Sequence, residues 1–311
     1  MNKGLYTTFI SIFFCFSVLS QTGVQKDSID QLIESEVNDT FLYNHISFAI
    51  SNIGLKNVPE IESYFQKGIT ICSRFEDKEY LLRLYIITSR YLYYAGHVES
   101  AMEKYNETKS LARKYNYKEF EASANVGISE FHIDGGNKDK AKQLLKSTID
   151  DLKDSNLQQT LSELNNRLAI IYRDEGQYRL ALNYMKKALS YHSPDDISRL
   201  MFSNYSTLGR IYRFMGNNDS AKISYKKAEE ITIKGNDEQA LSTVLNNLGN
   251  IEHVSGNYDN AISYYMRSLK IKEKYGNRRG TSVALHNIGA IKYDMKSYKD
   301  AIIDFNKSNR I

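Results

Sequence analysis

The sequence repeats itself at a step of 40 residues, and this step limits the fold more than any other feature. Segment 245–271, LNNLGNIEHVSGNYDNAISYYMRSLKI, aligns without gaps on 285–311, LHNIGAIKYDMKSYKDAIIDFNKSNRI. The same shift carries it back onto 205–231 and 165–191. Single columns persist along the chain. One holds small residues: Ala49, Ser89, Ser129, Ala169, Gly209, Gly249 and Gly289. A second, twelve residues on, reads Ile61, Ala101, Ala141, Ala181, Ala221, Ala261 and Ala301. A column of large apolar residues reads Phe65, Tyr105, Leu145, Met185, Tyr225, Tyr265 and Phe305. A turn column holds Gly96, Gly136, Gly176, Gly216 and Gly256, with Lys56 and Lys296 at its ends.

On both sides of each turn glycine, apolar and small residues recur at i, i+3, i+4 and i+7, which is helical spacing. Each unit is therefore an antiparallel helical hairpin. Over 242–281 the spacing predicts a first helix from about Leu241 to Ser255 and a turn at Gly256-Asn257. The second helix follows from about Tyr258 to Tyr275, with Gly276 as its stop. Small columns mark where helix backbones approach, and the Tyr/Phe column fills the space beside them. With only 2 Pro in the chain, little interrupts these helices.

These columns resemble the tetratricopeptide repeat. That family pairs Leu-Gly and a downstream Tyr in its first helix with a turn Gly, then Ala, an aromatic and Ala in its second. Leu208-Gly209, Tyr212, Gly216, Ala221, Tyr225 and Ala228 follow that order. Leu248-Gly249, Gly256, Tyr258, Ala261 and Tyr265 do so too, with Ser268 in place of the last Ala. The unit here is 40 residues where the family's typical length is about 34, as in its longer-repeat branch. The resemblance implies an all-α solenoid, a right-handed superhelix of stacked hairpins. Seven units begin near 42, 82, 122, 162, 202, 242 and 282. The first is degenerate, with Ile61 and Gly68 for Ala and Pro59 at the start of its second helix. The last stops at Ile311 inside its second helix, which implies a fragment, a truncated frame, an end docked on something else, or a frayed helix.

The N-terminus reads as an address. Lys3 precedes an uncharged apolar run from Thr7 to Leu19, and a cut before Gln21 leaves small or apolar residues behind it. The run is shorter than the ~20 residues that span a bilayer, so residues 1–20 are expected to be a cleaved signal peptide. The protein is then exported, periplasmic or extracellular, and touches a membrane only through that segment or a missing C-terminal part. Residues 21–41 form a polar lead-in. Without the leader, Cys72 is the only cysteine, so stability rests on packing.

Catalytic and metal-binding patterns are absent from the sequence. No two of the six His share the i, i+4 spacing of a helical metal site, and no phosphate-cradling glycine loop occurs. Asp195-Asp196 lies at or near a turn, where a solvated face or a helix cap explains it. Lys+Arg at 41 against Asp+Glu at 37 is too even for a nucleic-acid binder, and the basic residues form no stripe. No enzyme activity, cofactor or metal is expected. The resemblance implies a concave groove lined by the first helices. Asn247, Asn250 and Asn287 would hydrogen-bond an extended peptide, since an amide both donates and accepts. Arg167, Arg173, Arg210 and Arg213 would form a basic section suited to an acidic partner. His253 shares that face, and Tyr93, Tyr94 and Phe214 are candidates for its lining. The function expected is a protein-interaction scaffold or, alternatively, the sensory ectodomain of a membrane-anchored regulator with a kinase or helix-turn-helix output.

Overall fold

The computed structural model describes residues 58–311 apart from Pro194. The expected signal peptide, lead-in and first helix of the first unit lie outside the described residues. Thirteen helices and no strand occur among those described. They are α1 (Val58–Cys72), α2 (Glu79–Tyr94), α3 (Val98–Tyr115), α4 (Lys118–Asp134), α5 (Lys138–Leu152) and α6 (Gln158–Asp174). Then come α7 (Tyr178–Ser190), α8 (Arg199–Phe214), α9 (Asn218–Lys234), α10 (Glu238–Val254), α11 (Tyr258–Lys274), α12 (Arg278–Asp294) and α13 (Tyr298–Asn309). The second helices begin at residues 58, 98, 138, 178, 218, 258 and 298, so the 40-residue step survives folding without slippage. No helix among the described residues is long and apolar enough to cross a membrane.

The hairpin turn follows from backbone conformation. Gly96, Gly136, Gly176, Gly216 and Gly256 all adopt positive φ, between 74° and 87°, a region costly for residues with a Cβ. Lys296 closes the column at φ 63° and bears that cost. The turns between hairpins are less uniform. Asn116, Asn236 and Gly276 take positive φ at a shared register, and the chain does not repeat this at 156 or 196.

Two compact units divide the chain at Phe131/His132. In the first, Phe65 packs edge-on against Tyr85 at 4.9 Å between ring centres. Leu82, Ala112 and Phe120 gather α2, α3 and α4 into one cluster. Cys72 is fully buried at the end of α1.

In the second unit the sequence columns meet in space. A Cβ on Gly209 would stand 2.6 Å from the Tyr225 ring, and one on Gly249 would stand 2.6 Å from the Tyr265 ring. Those distances are inside van der Waals contact, so only glycine admits the tyrosine. The second alanine column seals the joint to the next unit: Ala221, Tyr225 and Ala228 pack on Val244, Leu248 and Ile251. Ala261, Tyr265 and Leu269 pack on Ala284, Ile288 and Ile291 in the same way. α10 begins at Glu238, three residues before the predicted start, because the Asp237 carboxylate accepts the Ala240 amide at 2.9 Å.

Candidate functional site

The first helices of the second unit carry the sequence-predicted residues. Arg167 on α6, Asn247 on α10 and Asn287 on α12 occupy one register position and are all half-buried. Arg167 lies 3.8 Å from Glu163. Asn287 donates its amide to the Asn246 carbonyl oxygen at 3.2 Å, which ties α12 to α10. Asn250 stands one turn along α10, and its Oδ1 accepts the Tyr265 hydroxyl at 2.7 Å. That bond takes one acceptor lone pair and leaves the Asn250 amide N–H groups. His253 pairs with Asp294 at 2.7 Å, and the His286 ring packs on Phe305 at 5.1 Å. The two histidines are thus engaged with different residues.

The arginines converge. Arg173 ends α6, while Arg210 and Arg213 lie near the end of α8, which packs on α6. The Arg173 side chain is only 8% exposed and grips Asp174 through Nη2 at 2.6 Å and Nε at 2.8 Å. Its Nη1 is buried with no hydrogen-bond partner. Arg210 has its Nε in the same condition, and its Nη2 reaches Thr207 only at 3.5 Å. Burial, with the Arg173 charge next, holds the Arg210 guanidinium below its ordinary pKa. The Phe214 ring lies between two guanidiniums, 4.8 Å from Arg213 and 5.9 Å from Arg173, and Tyr178 stacks on it. The Arg213 guanidinium lies against the Tyr225 hydroxyl; burial raises that phenol's pKa, and Arg213 and Arg210 pull against the rise.

Toward the opposite ends of α6 and α8 lies a polar network that the sequence did not reveal. Ser162 Oγ stands 2.8 Å from His192 Nε2, and His192 Nδ1 stands 2.5 Å from Asp196 Oδ2. Asn204 Nδ2 donates to Ser162 Oγ at 2.9 Å and to His192 Nε2 at 3.0 Å. Asn166 in turn donates to Asn204 Oδ1 at 2.5 Å. With Nε2 accepting from Asn204, the proton lies on Nδ1, facing Asp196. A serine, a histidine and an aspartate in this order match the geometry of a nucleophilic triad. Burial argues against that use. Ser162 is 0% exposed, and its hydroxyl donates to the Ala188 carbonyl at 2.9 Å. A substrate carbonyl has no route to it. The network instead fastens the 191–198 connector onto α6 and α8. Asp196 Oδ1 also accepts the Ser198 amide at 2.6 Å, and Ser198 caps α8 by accepting from Met201. Asp196 is therefore a buried-network anchor as well as the expected turn residue. No sequence motif marks the network, because its members come from α6, α8 and the connector.

Comparison with known proteins agrees with this architecture. Residues 160–234 and 240–311 match the tetratricopeptide repeat family. No curated protein matches the sequence. Among solved structures, a Rap protein complexed with competence and sporulation factor aligns at TM-score 0.61 and 16% identity, over 88% of this chain and 75% of that one. BtubC from P. vanneervenii aligns at 0.55 and 18% identity, over 79% and 90%. A signal transduction ATPase from Pyrococcus horikoshii with a tetratricopeptide repeat sensor aligns at 0.62 and 21% identity, over 88% of this chain and 40% of that one. At these identities the likeness is one of fold. By the family match, residues 160–234 and 240–311 are tetratricopeptide repeats.

Proposed function

We propose that the protein is a non-catalytic scaffold that binds an extended peptide or a protein surface along the first-helix face of its second unit. One observation carries this reading. The first helices α6, α10 and α12 set Arg167, Asn247 and Asn287 at one register position, half-exposed, and the ends of α6 and α8 carry buried arginine donors that no group among the described residues satisfies. An extended peptide offers carbonyls and amides at a regular spacing, and amide side chains can pair with both. Arg167, Arg173, Arg210 and Arg213 favour an acidic segment, and His253 borders the same face. The signal-peptide reading makes this the activity of an exported protein. A second reading, a sensory module of a larger membrane-anchored regulator, draws support from the fold shared with a repeat sensor.

The test is capture of partners from the native envelope fraction by the tagged protein, with mapping by cross-linkers placed at 247 and 287. A partner that cross-links there, and is lost when Asn247, Asn250 and Asn287 are changed together to Ala, is the expected result. A partner retained in full by the triple variant overturns the proposed surface.

A further inference from the structure

We infer that Arg173, Arg210 and Arg213 form a binding site for a phosphoryl dianion, carried by a partner or by a small phosphate compound. The inference rests on the reading of this face as a binding surface and names the chemistry of one subsite. Charge comes first. Three guanidiniums meet one carboxylate, Asp174, among the described residues of the cluster. The surplus is two positive charges. A carboxylate would cancel half of it, whereas a phosphoryl group brings about −1.5 to −2 and three strong acceptor oxygens.

Hydrogen bonding points the same way. Arg173 Nη1 and Arg210 Nε are buried donors without acceptors, and Arg173 as a whole is nine-tenths buried. Buried N–H groups are rarely left unpaired without a reason. Arg173 and Arg213 both place their guanidinium carbons over the Phe214 ring, at 5.9 and 4.8 Å from its centre. With the Arg173 Nε and Nη2 on Asp174 and Arg213 against the Tyr225 hydroxyl, the donors left for an oxyanion are Arg173 Nη1 and Arg210 Nε. A packing role alone would call for neither three like charges nor buried donors left unpaired. The Phe214–Tyr178 stack, at 6.3 Å between ring centres, adds an aromatic wall beside the site.

The experiment is calorimetric titration of the full chain with phenyl phosphate, inorganic phosphate and phenylacetate, at neutral pH and physiological ionic strength. Phenyl phosphate is expected to bind at least about tenfold more tightly than phenylacetate, which shares its ring but carries one charge. Inorganic phosphate binding as well as phenyl phosphate would assign a free small anion. Tighter phenyl phosphate would assign an aromatic phosphoester beside Phe214. Arg210→Met and Arg173→Met should each lower phenyl phosphate affinity about tenfold or more, and Arg210→Met, which breaks no ion pair, should leave the thermal midpoint unchanged or raised. A purely structural arginine would instead lower the midpoint. Equal binding of phenyl phosphate and phenylacetate by the wild-type chain, a comparison that needs no variant, overturns the inference. So does undiminished binding in both arginine variants. If the phosphoryl probe fails while the asparagine variant loses its partner, the subsite falls and the scaffold reading stands.

Discussion

The fifth and sixth repeats place the same tyrosine against the same glycine and surround its hydroxyl with opposite chemistry. In the sixth, Tyr265 fills the space that Gly249 leaves, and its hydroxyl donates to Asn250. In the fifth, Tyr225 fills the space beside Gly209, but Arg210 occupies the position of Asn250 and Arg213 that of His253. The first arrangement satisfies its polar groups internally. The second leaves guanidinium donors buried and unpaired among the described residues. The repeat therefore separates two kinds of position. Columns at the helix–helix contact are held by volume, while the column one residue beyond the contact is free to change its chemistry.

The chain also reaches the two repeats by different connectors. The sixth follows Asn236 at positive φ and the Asp237 cap. The fifth follows the 191–198 connector, held by Ser162, His192, Asp196 and Asn204. The buried network thus substitutes for a standard turn, and it positions the helix that carries Arg210 and Arg213.

The largest effect should test what the two repeats share. Tyr225→Ala and Tyr265→Ala are each expected to cost about 3–5 kcal/mol, since both rings are almost fully buried. Urea unfolding reads this directly, and a Tyr225→Ala cost well under half that of Tyr265→Ala would break the equivalence. The next effect tests where they differ. Asn250→Leu leaves the buried Tyr265 hydroxyl without its acceptor and should cost about 1–3 kcal/mol. Arg210→Met, at the same register, removes a buried charge beside Arg173 and should stabilise by about 1 kcal/mol. Changes of the same sign in thermal midpoint would contradict the contrast.

The smallest effect concerns the two connectors. Burial opposes the charge on Asp196, but hydrogen bonds from His192 and Ser198 outweigh it and hold the carboxyl below its ordinary 3.8. A depressed carboxyl contributes stability above its unfolded value, and that contribution disappears as pH falls through the folded one. Wild-type protein should therefore lose more stability than Asp196→Asn as pH drops below 3.8, by under about 1 kcal/mol after solvent screening. Parallel pH profiles of the urea midpoint would remove Asp196 from its role in holding the 191–198 connector.

Much of this was legible in advance. Gly209 with Tyr225 and Gly249 with Tyr265 were separate columns in the sequence, and the structure joins them because a missing Cβ is what a large ring requires. The convergence of Arg173, Arg210 and Arg213 on one face also follows from helical spacing. Their unpaired donors do not, because satisfaction depends on which neighbours come within reach. Asn250 shows the reverse case: chosen as a peptide contact, it also serves Tyr265 fifteen residues away. The Ser162–His192–Asp196–Asn204 network was invisible, since its members sit on separate helices and a connector with no shared period.

The sequence by itself determined the element type, the 40-residue period and the residues that meet at each hairpin, because periodic apolar and small side chains leave a helical hairpin as the one way to bury themselves. Tertiary structure alone decided which polar groups are paired. Hydrogen bonds and charge pairs form across repeats at distances of a few ångströms, and a shift of one side chain decides whether a guanidinium meets an acceptor or stays open for one.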